Sequence, residues 1–263
     1  MVLSIFTILI VTPTIGVKMQ DTYIFEKCIL FCQCEMLLRP IGLLVAGLAR
    51  RKEIVRKLSN NKNLHAIQCD ITKEEDILNA FEWIDEHLGA IHILVNCAGV
   101  IRITNLTEGS TKLWREVFDT NVMGLCIATR EAVRSMRKNN VDGHIVHLNS
   151  IAGHKVCPLP NVNVTAASKH SVTALTETLR QELNSIGCKI KISSISPGVT
   201  KSDAVDAAYM ASGQRPPQEL INWIKAAPSL ESYDVADAVI YVLSTPSHVQ
   251  IHELIIKPVG EII

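Results

Sequence analysis

The chain lacks net charge: its 263 residues carry twenty-six Lys plus Arg against twenty-six Asp plus Glu. Without a basic excess there is no electrostatic footprint for nucleic acid or for an anionic membrane surface, so neither is expected as a partner. Cysteine is sparse as well, at 8 residues, which excludes a disulfide scaffold. Five of these, Cys69, Cys97, Cys126, Cys157 and Cys188, sit singly among aliphatic residues and read as small buried hydrophobes. The cluster Cys28, Cys32 and Cys34 has no nearby His and no second pair at zinc-ribbon spacing, so no metal is expected. There is no internal repeat, low-complexity tract or linker, which favours one domain. Charged residues make up only 20% against 48% hydrophobic, which excludes a disordered chain and suggests strands buried on both faces.

Charge is also missing from Met1 to Val17, and three readings of that stretch compete. A transmembrane helix needs about 20 apolar residues, but Pro13 and Gly16 interrupt the run, so no stable span is expected. A secretory signal would have a basic start and a small-x-small cleavage site, and both are absent. The third reading makes Ile8 to Val11 a buried central parallel strand, with Thr12-Pro13-Thr14-Ile15-Gly16 as its turn. A cytoplasmic protein is expected. Secretion or membrane association through residues 1–17 is the alternative.

Beyond residue 40 apolar strands alternate with amphipathic helices, the pattern of βαβ units and a parallel sheet. Strands are predicted at Leu43 to Leu48, Leu64 to Cys69, Ile91 to Val95, His144 to Leu148, Lys189 to Ile195 and Gln250 to Ile256. From Ser110 to Lys138 the residues Trp114, Val117, Phe118, Val122, Leu125, Thr129, Ala132, Val133 and Met136 form one stripe at helical spacing, with Ser110 or Thr111 as cap. A second long helix runs from Thr165 to Ile186 and stops at Gly187.

Several small motifs fall at the carboxyl ends of these strands, the edge where open α/β sheets bind ligands. After Leu43 to Leu48 comes Ala49-Arg50-Arg51, with no carboxylate. An acid there would hold an adenosine ribose hydroxyl, whereas Arg takes a 2′-phosphate bidentately; alternatively the two arginines merely open a solvated helix. The next strand ends in Cys69-Asp70-Ile71-Thr72 and the one after in Asn96-Cys97-Ala98-Gly99, either ordinary turns or a place where a flat ligand approaches backbone. Asn121 lies in the apolar stripe and needs hydrogen-bond partners. Ser150 follows a strand directly, and Thr165 and Lys169, at i and i+4, share one helix face. Ser196-Pro197-Gly198-Val199-Thr200 closes another strand on the same rim.

In order and spacing this set resembles the short-chain dehydrogenase/reductase family from about residue 41 to 263, in the NADP-preferring subgroup of insect farnesol dehydrogenases and hydroxysteroid dehydrogenases. The resemblance implies a single-domain Rossmann-like fold, a doubly wound parallel sheet in three αβα layers, with an atypical segment at 1–40. It implies that Arg50 and Arg51 bind the adenosine phosphate of NADP(H), Asp70 and Ile71 the adenine, and Asn96, Ala98 and Gly99 the adenosine ribose side. Lys169 would hold the nicotinamide ribose, and Pro197, Gly198, Val199 and Thr200 would line the nicotinamide. Ser150 would hydrogen-bond the reacting oxygen, and Asn121 would position a relay water. Residues 199 to 229, with Ala204, Val205, Tyr209, Met210, Pro216, Pro217 and Trp223, would form a lid over a lipophilic alcohol or carbonyl. A homodimer or homotetramer built on the long helices would follow.

Two departures matter. The family's catalytic Tyr falls on Thr165, with no other Tyr between Ser150 and Lys169. A phenol starts near pKa 10 and can be tuned by Lys⁺, whereas a Thr hydroxyl is far less acidic and reaches less far. The family's Gly-rich diphosphate turn is also absent; Ile8 to Gly16 resembles it only faintly, with Pro13 at the first Gly. Residues 1–40 are then either an aberrant first βα unit or a transcript error. The function read from the sequence is an NADP-dependent oxidoreductase; the alternative is a catalytically silent member kept for binding or pairing.

Overall fold

The computed structural model describes residues 6–11, 44–57, 62–156, 161–202 and 204–262. Within them seven strands form one sheet: β1 (Phe6–Val11), β2 (Leu44–Ala49), β3 (Leu64–Gln68), β4 (Ile93–Asn96), β5 (His144–Leu148), β6 (Lys191–Pro197) and β7 (Glu253–Ile256). Their spatial order is β3-β2-β1-β4-β5-β6-β7, a doubly wound arrangement. The connections carry α1 (Lys52–Arg56), α2 (Glu74–His87), α3 (Thr111–Phe118), α4 (Leu125–Lys138), α5 (Asn163–Ser185), α6 (Ala204–Ala211), α7 (Gln218–Ala226) and α8 (Ser232–Leu243).

Strand residues alternate between two cores, one on each face, because successive side chains point to opposite sides. Ala46, Leu48, Leu94, Ile145 and Ile192 meet α2, α4 and α5 through Ile77, Ile84, Ala132, Met136 and Leu183. Val45, Ala49, Val95, Val146 and Ile195 meet α1 and α8 through Val55, Ala238, Val239 and Val242. The three-layer Rossmann-like fold is therefore present, and the strands from β2 onward are all parallel to one another where they pair.

The first strand is the exception. β1 takes the central place expected of Ile8 to Val11, but it runs antiparallel to both neighbours: Val11 pairs with Leu44, and Thr7 with Ala49's neighbour Leu48 and with Asn96. The expectation of a parallel first strand is thus corrected. A strand between β2 and β4 is needed to satisfy their inner backbone groups, and an antiparallel ladder does this as completely as a parallel one. Because β1 is reversed, Val11 leaves the sheet at the edge opposite the carboxyl ends of β2 and β4. The turn read at Thr12 to Gly16 lies outside the described residues, as do Cys28, Cys32, Cys34 and Cys157.

The predicted helix from Ser110 to Lys138 exists, but a π-helical turn at Asp119–Gly124 joins α3 to α4. One extra residue per turn shifts the stripe by about 100°. Phe118 therefore faces out at 37% exposure although it belonged to the predicted stripe, while Asn121 turns fully inward. Gly124 permits this approach: a Cβ there would stand 2.6 Å from the Ile71 carbonyl oxygen. Ser110 is the N-cap residue, but its side chain makes no capping hydrogen bond, so the cap expected at Ser110 or Thr111 is not formed. At the end of α5, Gly187 takes φ +65, as a helix-terminating glycine should.

Leu94 is 0% exposed in β4 at the centre of the larger core. Leu94→Ala is expected to lower unfolding stability by about 2–5 kcal/mol with an unchanged urea m-value, read by circular dichroism.

Candidate active site

Since β2 to β6 run parallel, their last residues share one edge of the sheet, and the turns after them hold the candidate residues together. Arg50 and Arg51 follow β2 with exposed side chains. After β3, the Asp70 Oδ1 accepts hydrogen bonds from the Thr72 amide (3.1 Å) and hydroxyl (2.8 Å), while Asp76 accepts from the Asp70 amide. Ile71 is buried beneath Gly124. Ala98 and Gly99 follow β4, and a Cβ at Gly99 would meet only the Asn121 Oδ1 within 4 Å, at 3.6 Å. That turn has room on its outer side.

The Asn96 side chain points into the interior. Its Nδ2 donates to the Thr129 Oγ1 at 2.9 Å, and Thr129 contacts the His147 Nε2 at 3.2 Å. His147 Nδ1 lies 3.0 Å from the Thr176 Oγ1, whose hydrogen goes to the Val172 carbonyl at 2.8 Å. The directions are then forced: Thr176 accepts from Nδ1–H, so Nε2 is the bare nitrogen and accepts from Thr129. This chain works only with a neutral imidazole. Burial, reinforced by the Lys169 charge, lowers the His147 pKa to about 3.

Asn121 is 2% exposed and its amide is committed within the protein. Oδ1 accepts from the Val100 amide at 2.8 Å, and Nδ2 donates to the Val100 carbonyl and the Ser168 Oγ, both at 3.0 Å. Its side chain braces the β4 turn against α5. Ser168, buried one residue before Lys169, is a partner the sequence reading missed; its signal is a polar residue on the inner face of a helix.

Ser150 follows β5 and caps the short 3₁₀ turn Ile151–Gly153, its Oγ accepting from the Ala152 amide at 3.1 Å. The hydroxyl hydrogen remains available to a ligand oxygen. Lys169 donates from Nζ to the Leu148 carbonyl at 2.8 Å, which anchors the ammonium beside the end of β5. Burial lowers its pKa to about 8, partly offset by Cys97. Cys97 is thus a neighbour of the site, partly buried and packed against the second core; of the other lone cysteines, Cys69 is buried, while Cys126 and Cys188 are partly buried. Thr165 sits one turn before Lys169, buried, and its Oγ1 has no hydrogen-bond partner.

On the far side, Pro197 is buried, the Gly198 amide donates to the Ile256 carbonyl at 2.8 Å, and Thr200 donates to the Gly198 carbonyl at 3.1 Å. Val199 accepts from the Leu230 amide at 2.8 Å, which ties this turn to the region before α8. No group of His, Cys, Asp and Glu among the described residues is arranged to hold a metal ion.

With that geometry in place, comparison is decisive: the family model described as short chain dehydrogenase matches residues 40–211. The chain belongs to the short-chain dehydrogenase family. A farnesol dehydrogenase of Aedes aegypti is 46% identical over 231 residues, covering 85% of this chain and 89% of the relative. Human dehydrogenase/reductase SDR family member 11 is 38% identical over 229 residues, covering 84% and 86%. Among solved structures, the closed form of a serine dehydrogenase complexed with NADP+ aligns with a TM-score of 0.70 at 26% identity, covering 81% of this chain and 82% of that one. Thr165 therefore stands in a chain of the short-chain dehydrogenase family, one helical turn before Lys169.

The neutral His147 makes stability depend on pH. The unfolded chain takes up a proton near pH 6.5, while the folded one resists until about pH 3. His144, held near 3 by burial with a contribution from Lys191, behaves alike. Stability from both is complete above pH 6.5 and is lost as the pH falls from there, by up to about 1.4 kcal/mol per pH unit for each group. Urea unfolding between pH 7 and 5 should show this slope, and His147→Gln should flatten it; an unchanged slope in the variant contradicts the directed chain.

Proposed function

We propose that this chain is an NADP(H)-binding oxidoreductase that interconverts a hydrophobic secondary alcohol and its ketone, or an aldehyde, with its proton-transfer step impaired by Thr165. The observation that carries the reading is the anchored Lys169 ammonium beside Ser150, on the same edge as the exposed Arg50 and Arg51. The name of the mosquito relative supports an alcohol as substrate, and the NADP+ held by the serine dehydrogenase supports the cofactor.

The residues present fit the two ends of such a cofactor. Two exposed guanidinium groups suit an adenosine 2′-phosphate, and the open outer side of Gly99 suits a ribose. For the diphosphate in the middle, the family's Gly-rich turn is missing from the sequence, and the residues that follow β1 lie outside the described ones. A bound nicotinamide would supply or accept the hydride. Around it, Lys169 would hold the ribose hydroxyls, and Ser150 would donate to the substrate oxygen. The lid segment suits a lipophilic substrate, with Met210 on α6 and Trp223 on α7 exposed at 54% and 38%.

A second reading, a silent member kept for binding or for pairing with another copy, draws support from the partnerless Thr165 hydroxyl and from Phe118 and Met123, which expose apolar surface on the long helix. A cytoplasmic homodimer or homotetramer accords with both readings. Among the described residues no helix is long and apolar enough to cross a membrane.

Titrating the protein and Thr165→Tyr with NADPH, and following reduction of an aliphatic aldehyde, tests the proposal. Weak binding and poor turnover are expected, with turnover about 10²–10⁴ higher in the variant. Tight binding with vigorous reduction by the unchanged chain refutes the reading of Thr165, and no binding by either protein favours the silent member.

A further inference from the structure

We propose that Glu261 is a specificity determinant at the nicotinamide end of the site, favouring the oxidised, cationic cofactor over the reduced, neutral one. This rests on the reading above in which Pro197 to Thr200 lines the nicotinamide. The chain after β7 folds back over the end of β6: Ile256 accepts from the Gly198 amide, and the Glu261 amide closes a turn onto the Pro258 carbonyl at 3.2 Å. The Glu261 side chain is only 3% exposed. Its carboxylate lies against Gly198 so closely that a Cβ there would collide with Oε2 and stand 3.1 Å from Oε1. A side chain at 198 would have to push the Glu261 carboxylate aside, while the backbone itself makes no demand for glycine, since φ at 198 is not positive.

Neither carboxylate oxygen has a hydrogen-bond partner. The Lys257 Nζ approaches to 3.8 Å, an ion-pair distance without a hydrogen bond, and its own side chain is 35% exposed. A buried carboxylate so poorly compensated is costly unless positive charge reaches it. Oxidised nicotinamide carries one positive charge on its ring and the reduced form carries none, while the adenosine portion is the same in both. The carboxylate beside Gly198 therefore separates the two oxidation states without altering grip on the rest of the molecule. At the screening usual near a protein surface, one such charge pair a few ångströms apart changes affinity by about tenfold or more.

The test measures binding of NADP+, NADPH and adenosine 2′,5′-bisphosphate, which has no nicotinamide, to the wild-type chain, Glu261→Gln and Lys257→Gln. Glu261→Gln should weaken NADP+ by about tenfold while NADPH and the bisphosphate stay within about twofold. Lys257→Gln, at a more exposed position, should shift the NADP+ to NADPH preference the opposite way and serves if the first variant does not fold. Equal changes for both oxidation states, or none, overturn the role of Glu261 while leaving the cofactor reading intact. Failure of all three ligands to bind the wild-type chain overturns the cofactor reading itself and this inference with it.

Discussion

The Asn121 carboxamide makes three hydrogen bonds in a part of the structure with almost no access to water, and together they join the turn after β4 to α5. Two clamp Val100, just beyond the Ala98-Gly99 turn; the third takes the Ser168 hydroxyl on α5, next to Lys169. Removing any partner would strand a buried polar group at about 1–3 kcal/mol. The π-helical turn aims this side chain inward, and the absence of a side chain at Gly124 lets that turn sit on Ile71. A single backbone irregularity thus sets the spacing between the turns after β3 and β4 and the helix that bears Lys169.

Behind this clamp, the chain from Asn96 through Thr129, His147 and Thr176 to the Val172 carbonyl ties β4, α4, β5 and α5 together. Its donors all point one way, from the Asn96 amide through the neutral imidazole to the Val172 carbonyl. The structure therefore spends Asn96 on rigidity, leaving the backbone at the end of β4 to face the edge. Ser150 shows the same economy: its lone pair fixes the Ala152 amide, and its hydrogen points to no protein group among the hydrogen bonds it makes.

The parallel strands from β2 onward were legible because each is a short apolar run between helical patterns, and the edge location of the motifs follows from parallelism alone. Strand ends shifted by a few residues, as with Lys189, which precedes β6, since apolar periodicity does not mark where pairing begins. The direction of β1 was not legible: a short uniformly apolar run carries no signal that distinguishes parallel from antiparallel pairing. Nor could helical periodicity reveal the π turn, because Asn121 and Phe118 look equally consistent with the stripe until one extra residue is inserted. Glu261 escaped attention for another reason. A single carboxylate near a chain's exposed-looking tail gives no hint of burial, and its contact with Gly198 depends on how β6 and β7 pair.

The two departures from the family pattern act on different steps. The missing Gly-rich turn bears on how a diphosphate would be held, whatever stands at position 165. Thr165 leaves binding groups in place but removes the acid whose acidity the neighbouring ammonium would enhance. Lys169 retains the geometry for one of its two tasks, since its Nζ is held by the Leu148 carbonyl and not by Thr165. The other task has no recipient, because burial can bring an ammonium to about 8 but cannot bring an aliphatic hydroxyl near neutrality. The change at Thr165 is therefore chemical and local, whereas the missing Gly-rich turn concerns the grip on a cofactor, and repairing the first leaves the second in place.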